Sequence, residues 1–126
     1  MRKRPESPAD EYLPLTPAVF DILLTLADGD RHGYAIAREV ETRSGGRVRL
    51  GPGTLYGTLT RLLGAGFVRE CDGPDEEGPT VERRRYYRLT PLGREVAKAE
   101  ARRLADLVAA AHAKALLKLK GQAGNS

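Results

Sequence analysis

Arginine is the residue type that this sequence concentrates most clearly, in two separate stretches. Residues 31–69 contain seven arginines and two acidic residues, and residues 83–94 contain five arginines and no acid. Together the stretches carry a charge of +10 within a net charge of +4. A guanidinium group can donate two parallel hydrogen bonds to a phosphate or to the edge of guanine. These residues therefore favour recognition of a polyanion, although a solvated face with scattered ion pairs explains the charge alone equally well.

The other reactive residues do not point to a metal, nucleotide or catalytic site. His32, Cys71 and His112 are far apart and lack the spacing of metal ligands. The motif Gly51-x-Gly53-x-x-x-Gly57 resembles a dinucleotide fingerprint, but its spacing is wrong by one residue and no βαβ unit surrounds it. No Ser/His/Asp arrangement or carboxylate pair stands out. We therefore expect no enzymatic activity, no metal and no cofactor.

The length and composition are those of one small domain. A chain of 126 residues can bury one hydrophobic core, and its one cysteine excludes a disulfide within the chain. The longest apolar run, Leu107–Ala111, is far too short to cross a bilayer. No apolar segment follows the charged start to make a signal peptide. We therefore expect a cytoplasmic protein with no membrane partner.

Hydrophobic periodicity predicts three helices in the first half of the chain. They span about 17–27, about 33–43 and a segment that begins at Gly51-Pro52-Gly53 and ends at 64–66. The pair Thr16-Pro17 is typical of a helix start, because a capping residue precedes proline at the first helical position. Residues 1–14 contain three prolines and charges of both signs, and are predicted to be a mobile arm.

Two β-like runs follow, Phe67–Cys71 and Arg84–Leu89, separated by a turn-rich acidic loop. Alternation predicts that Tyr87 and Leu89 point to one side of the second run, and that Tyr86 and Arg88 point to the other.

A last helix is predicted from Thr90-Pro91 to about Leu119. The order α–α–α–β–β–α predicts a mainly α-helical α+β fold with a small β-hairpin. This is a winged helix-turn-helix domain at 15–90, a C-terminal dimerisation helix at 91–120 and a disordered tail at 121–126.

In such a domain the third helix enters the major groove and the hairpin contacts the flanking backbone. The two arginine-rich stretches coincide with these elements, which makes DNA the favoured polyanion. The predicted contacts are the small and polar residues opposite the leucines of the third helix, the start of the second helix and the base of the wing: Gly53, Thr54, Tyr56, Gly57, Thr58, Arg61, Tyr34, Arg83, Arg84 and Arg85.

These candidates have different chemistry. The hydroxyls of Thr54 and Thr58 and the fork of Arg61 can reach bases or phosphates, although solvent exposure alone also explains the threonines. Tyr34 opens a helix whose N–H groups suit a phosphate, but its ring can instead belong to the core. The carboxylates of the wing tip, at 76–77, repel phosphate, so only the base of the wing is expected to bind.

The last helix carries an apolar seam at heptad spacing. Its members are Ala97, Ala101, Leu104, Val108, Ala111 and Ala115, broadened by Leu107. A helix of about 28 residues would be about 42 Å long, and one small domain cannot cover both its apolar sides. A partner helix is therefore expected, and a two-fold dimer suits a pseudo-palindromic operator. The alternative is a helix that folds back on its own domain.

Three motifs occur in order: His32-Gly33-Tyr34-Ala35-Ile36, then Leu50-Gly51-Pro52-Gly53-Thr54-Leu55-Tyr56, then Arg85-Tyr86-Tyr87-Arg88-Leu89-Thr90-Pro91-Leu92-Gly93. Over roughly residues 15–120 the chain resembles the PadR family of bacterial transcriptional regulators, in its short-tailed branch with one C-terminal helix. The resemblance implies a homodimeric winged-helix repressor that a small aromatic or hydrophobic effector releases from its operator.

The resemblance also implies roles for single residues. Tyr56 is expected to contact a phosphate, although its ring can instead be buried against the second helix. Phe20, Leu23 and Leu24 are expected to share the dimer interface with the last helix. The chain has no tryptophan and only seven other aromatic residues, so a constitutive repressor and a sensor of a small phenolic or non-aromatic ligand both remain open. A second reading is a protein-interaction module whose basic face meets an acidic partner.

Overall fold

The computed structural model describes residues 8–73 and 85–118. In chain order these residues form a 3₁₀ helix (Pro8–Tyr12), α1 (Pro17–Leu26), β1 (Arg31–His32), α2 (Gly33–Arg43), α3 (Pro52–Ala65), β2 (Val68–Cys71), β3 (Tyr86–Leu89) and α4 (Pro91–Ala113). This architecture confirms the predicted α+β winged helix-turn-helix fold with a long C-terminal helix. Arg83, Arg84, the acidic wing tip and the tail at 121–126 lie outside the described residues.

The predicted capping residues hold the helix starts. The Thr16 hydroxyl oxygen accepts a hydrogen bond from the Val19 amide at 3.3 Å, and Pro17 opens α1 as predicted. At α2 the cap is one that periodicity did not suggest, because Nδ1 of His32 accepts from the Ala35 amide at 3.1 Å. Each cap satisfies one of the amides that a helix start leaves without a backbone partner.

β3 lies in the middle of a three-stranded antiparallel sheet, between β1 and β2. Residues 68–71 pair with residues 86–89 to form the base of the wing. Tyr87 and Leu89 are buried whereas Arg88 is exposed, which confirms the predicted alternation. The sequence did not predict β1, since a strand of two residues is too short to show a period of two.

The wing is closed at its base by Thr90, which also caps α4. Its hydroxyl donates to the Gly66 carbonyl at 2.5 Å and accepts from the Gly93 amide at 3.0 Å. The Thr90 amide donates to the Phe67 carbonyl at 3.1 Å. The end of α3, the start of β2 and the start of α4 are therefore joined by one residue.

The core lies between the sheet and the helices. Its fully buried side chains come from all four helices and from β2, and include Ile22, Leu26, Ile36, Leu59, Val68 and Val96. The inward face of α3 is formed by Leu55, Leu59 and Leu62, so three of the four predicted inward leucines are buried, and Leu63 is half-buried. Packing of these apolar side chains is the main force that orients the helices.

The prediction of a mobile arm is wrong for residues 8–12. Residues 8–12 pack on α4, Ala9 is buried, and the ring of Tyr12 meets that of Phe67 edge-on at 4.9 Å between centroids. A single 3₁₀ turn carries no periodic signal, so its apolar contacts were invisible in the sequence.

α4 is shorter than predicted, because it ends at Ala113 and not near Leu119. Ala115 has a left-handed backbone (φ 62°), and the Leu116 amide donates to the Ala111 carbonyl at 2.9 Å. Such a bond satisfies one of the last carbonyls of a helix. Alanine, leucine and lysine all favour helix, so the composition gave no stop signal. The helix of 23 residues is about 35 Å long.

Glu100 is a buried carboxylate that ties the N-terminal segment to α4. It accepts from the Leu15 amide at 3.0 Å and from Nε and Nη2 of Arg103 at 2.5 and 3.0 Å. The Arg103 guanidinium, helped by the Leu15 amide, holds the pKa of Glu100 below its ordinary value of 4.5 although burial acts in the opposite direction. The ionised form therefore stabilises the fold above about pH 4.5, and this contribution is lost as the pH falls through the folded-state pKa.

Glu100→Gln is expected to lower the free energy of unfolding by about 1–3 kcal/mol at pH 7, because hydrogen bonds to a charged group are lost. The difference between the variant and the wild type should narrow below about pH 4.5. Urea titrations over a series of pH values measure it. Glu95→Gln is the control, since Glu95 is exposed on the same helix and its carboxylate pairs with Lys98 at 3.3 Å. A difference that is constant with pH would contradict the prediction.

Candidate nucleic-acid interface

The exposed face of α3 carries most of the residues that the sequence placed there. Gly53, Thr54, Tyr56, Gly57 and Arg61 are all exposed. A Cβ atom built on Gly53 or Gly57 would meet nothing within 4 Å. This side of the helix therefore presents two bare stretches of backbone between a hydroxyl, a phenol and a guanidinium group.

Thr58 is not on that face, and the prediction that it is exposed is wrong. Only 1% of its surface is accessible, and its hydroxyl accepts from Nη2 of Arg61 at 3.3 Å. Residue 58 follows Leu55 by three positions and precedes Leu62 by four, so all three share one side of the helix. That spacing was visible in the sequence. Thr58 is therefore buried, and its hydroxyl helps to orient the Arg61 guanidinium through this hydrogen bond.

The start of α2 lies beside this face. Tyr34 is 63% exposed, so its ring does not belong to the core. The ring stacks on that of His32, with 6.3 Å between centroids and an angle of 15°, and the guanidinium carbon of Arg38 lies 5.7 Å from its centroid. Sequence reasoning missed His32, whose capping role places its ring at the edge of this surface.

A pocket of about 420 Å³ opens where α2, α3 and the wing base meet. It is lined by His32, Gly33, Tyr34, Tyr56 and Arg85. Three of these residues were predicted DNA contacts, and they are separated by as many as 51 residues in the sequence. The fold therefore gathers the α2 start, α3 and the wing base around one cavity.

Arg85 and Arg88 of the wing base both have an acidic partner, but they are held differently. Arg85 is exposed, and its Nη1 lies 3.4 Å from a carboxylate oxygen of Glu70. Arg88 instead makes a bidentate ion pair with Asp30, in which Nε lies 3.0 Å from Oδ1 and Nη2 lies 2.7 Å from Oδ2. This pair lowers the pKa of the Asp30 carboxyl and raises that of Arg88. Arg88 is therefore committed to joining β3 to the loop before β1.

Several other arginines are also paired within the domain. Arg31 pairs with Asp28, and Arg43 contacts Asp21 and Glu39. Among the described residues no ion pair involves Arg61. Fewer arginines are therefore available to a partner than the sequence count suggests. Arg61 is one of the available arginines.

The predicted dimer face is largely open to solvent. Its accessible apolar side chains on α4 are Ala101, Leu104, Leu107, Val108 and Ala111, to which α1 adds Phe20 and Leu24. Leu107 is 55% exposed. Ala97 packs partly against the core, and Ala115 lies beyond the end of the helix. The placement of Leu23 at an interface is wrong, because its side chain is fully buried within the protomer.

Within residues 8–73 and 85–118, no helix is long and apolar enough to cross a membrane. The same residues contain no cluster of three His, Cys, Asp or Glu side chains that could hold a metal ion.

Two relatives cover about two thirds of this chain. A 37.1 kDa protein of transposon TN4556 from Streptomyces fradiae is 46% identical over 86 residues, which are 68% of this chain and 22% of that protein. The transcriptional regulator Rv3488 of Mycobacterium tuberculosis is 39% identical over 90 residues, which are 68% of this chain and 74% of that protein. This chain thus spans less than a quarter of the first relative and most of the second.

Solved structures share the fold. A transcriptional regulator from Clostridium thermocellum has 27% identity and a TM-score of 0.63, over 77% of this chain and 87% of that one. PadR of Bacillus subtilis, solved in complex with operator DNA, has 23% identity and a TM-score of 0.58, over 68% of this chain and 47% of that one. The model of the Transcriptional regulator PadR-like family matches residues 22–99. This chain belongs to the PadR-like family of transcriptional regulators.

Proposed function

We propose that this protein is a homodimeric repressor that binds a pseudo-palindromic promoter site in double-stranded DNA. The observation that carries the proposal is the exposed face of α3, where Thr54, Tyr56 and Arg61 lie beside the open α2 start. The leucines of the same helix fill the core. A helix with this division of faces, backed by a basic wing base, suits the major groove.

The contacts divide into two kinds. Arg61, with no acidic partner among the described residues, is proposed to read a guanine edge, helped by the Thr54 hydroxyl. Tyr34 and Tyr56, which flank the pocket, and Arg85 at its wing side are proposed to contact phosphates. Gly53 and Gly57 let the duplex backbone approach α3 closely. Arg83 and Arg84 are proposed as further phosphate contacts of the wing.

The dimer is proposed to form through the open α4 face together with α1. The exposed leucine and valine side chains of α4 need an apolar cover, and the small alanines between them allow a partner helix to approach. A two-fold axis between the helices would place two α3 helices about one turn of DNA apart. We place this dimer in the cytoplasm, with release by a small hydrophobic or phenolic effector as its proposed control.

The test is a titration of the purified protein into labelled duplex from upstream of its own gene. Scrambled duplex serves as competitor at two salt concentrations. We expect the affinity for this duplex to exceed the affinity for scrambled duplex by about 10³-fold or more, and to fall steeply as the salt concentration rises. Weak binding that any duplex displaces equally would reject a specific regulator. That result would favour the second candidate, a module whose basic face meets an acidic protein.

Arg61→Ala and Arg85→Ala are expected to differ in their effects. Loss of Arg61 should weaken the cognate site by about 1–3 kcal/mol and leave scrambled duplex almost unchanged, because a base contact is lost. Loss of Arg85 should weaken both duplexes alike and reduce the salt slope by about 1. Binding isotherms on both duplexes measure this, with Arg102→Ala on the exposed side of α4 as control. Equal losses on both duplexes for Arg61→Ala would remove it from base reading.

A further inference from the structure

Gly33 is the first residue of α2 and lies directly beneath the ring of Tyr56. A Cβ atom built on Gly33 would lie 2.6 Å from the Tyr56 hydroxyl oxygen and 2.9 Å from Cε1 and Cζ. These are distances that real side chains do not adopt. The phenol of Tyr56, on α3, therefore occupies the space that any other side chain at position 33 would fill.

The backbone of Gly33 does not itself require glycine. In the described part of the chain the glycines with positive φ are Gly29, Gly45, Gly46 and Gly66, and Gly33 is not among them. Alanine generally favours a helix more than glycine does, because glycine loses more backbone freedom on folding. The glycine is therefore tolerated at a cost to helix stability, and what it provides is room for the Tyr56 phenol.

The location of that phenol is where a phosphate contact would be made. Tyr56 is 48% exposed, and together with Tyr34 it borders the pocket in which Arg85 also lies. The first amides of α2 have no partner within the helix, and His32 caps one of them, the Ala35 amide. With the end of its ring over Gly33, Tyr56 holds its hydroxyl at the start of α2, while about half of its surface stays open to solvent.

We infer that Gly33 is a positioning residue for DNA binding, which acts by seating the Tyr56 phenol over the start of α2. The inference rests on the proposed function. Gly33 makes no contact of its own through a side chain. Its part is to fix the distance between the phenol of α3 and the amides of α2, so that one phosphate can be bound by both.

The experiment combines Gly33→Ala with substitutions of Tyr56 in the full-length protein. Gly33→Ala should weaken binding to cognate and scrambled duplex alike by about tenfold, and Tyr56→Phe should do the same, since each loses one hydrogen bond to a charged group. In a Tyr56→Ala background the clash is absent. Gly33→Ala should then change affinity by less than about twofold, since residues that act through one contact are not additive.

Gly64→Ala is the matched control. Gly64 is exposed in α3, and a Cβ atom built on it meets nothing within 4 Å. Both alanine variants should keep or raise the melting temperature, but only Gly33→Ala should lose affinity. Nuclear Overhauser contacts between the Tyr56 ring and the Gly33 α-protons, present in the free wild type, should vanish in Gly33→Ala.

Three results would overturn the inference. They are a Gly33→Ala variant that binds as tightly as Gly64→Ala, an equal loss in the Tyr56→Ala background, and absence of the ring contact in the wild type. A wild type that binds no duplex specifically would reject the proposed function first, and the positioning role with it. Because the ring contact is measured without DNA, the two failures can be told apart.

Discussion

Leu104→Glu is expected to convert the protein from a dimer to a monomer and to weaken binding to its site by about 10²–10⁴-fold. Leu104 is half-buried on the open face of α4, between Ala101 and Leu107, and does not belong to the core cluster. A carboxylate there would be desolvated in the apolar contact between two helices, whereas in the monomer it stays in water. The binding loss follows because one half-site then binds without the other.

Sedimentation velocity and duplex titration measure the two effects on the same samples. Ala109→Glu is the matched control, since Ala109 is exposed and lies about 140° around α4 from Leu104, next to Arg102 in the helical wheel. The control should remain dimeric and bind normally. A Leu104→Glu monomer that bound the site as tightly as the wild type would refute the dimeric mode of binding. If Leu104→Glu stayed dimeric, the dimer interface could not be the α4 face that carries Leu104.

Gly93→Ala is expected to destabilise the fold by about 3 kcal/mol or more, at the upper end for overpacked sites. A Cβ atom on Gly93 would overlap the Phe67 carbonyl group, with its oxygen and its carbon both far inside contact distance. Neither partner can turn aside, because that carbonyl also accepts from the Thr90 amide and Gly93 is held by the Thr90 hydroxyl. α4 would have to move away from the sheet.

Thermal unfolding at fixed protein concentration measures this, and a drop of about 10 °C or more is expected. Gly64→Ala again serves as the control, since it makes the same chemical change in a helix with open space around it. An unchanged melting temperature for Gly93→Ala would mean that the α4 start can shift without cost, contrary to the packing described above.

The helices and their starts were predictable because their signals are local. Thr16 and Thr90 cap the helices where a capping residue precedes a proline, and leucines at helical spacing define the inward face of α3. Thr58 was predicted to be exposed because its side chain is polar. Its spacing from Leu55 and Leu62 already indicated the buried face of α3, where the structure places it.

Interactions between distant residues could not be read from the sequence. The Asp30–Arg88 pair joins residues 58 positions apart, and the Glu100–Leu15 bond joins residues 85 apart. Neither pairing has a periodic pattern. For the same reason the charge count could not show which arginines the domain pairs with its own carboxylates.

The bond from the Thr90 hydroxyl to the Gly66 carbonyl, at 2.5 Å, joins the end of α3 to the foot of the wing. In the proposed complex with DNA, α3 and the wing both contact the duplex, and this bond fixes the distance between them before DNA binds. A duplex must then match that spacing, and one that does not must bend or change its groove width at an energy that depends on its base steps. Base pairs that lie between the α3 contacts and the wing contacts would thus influence affinity although the protein does not contact them.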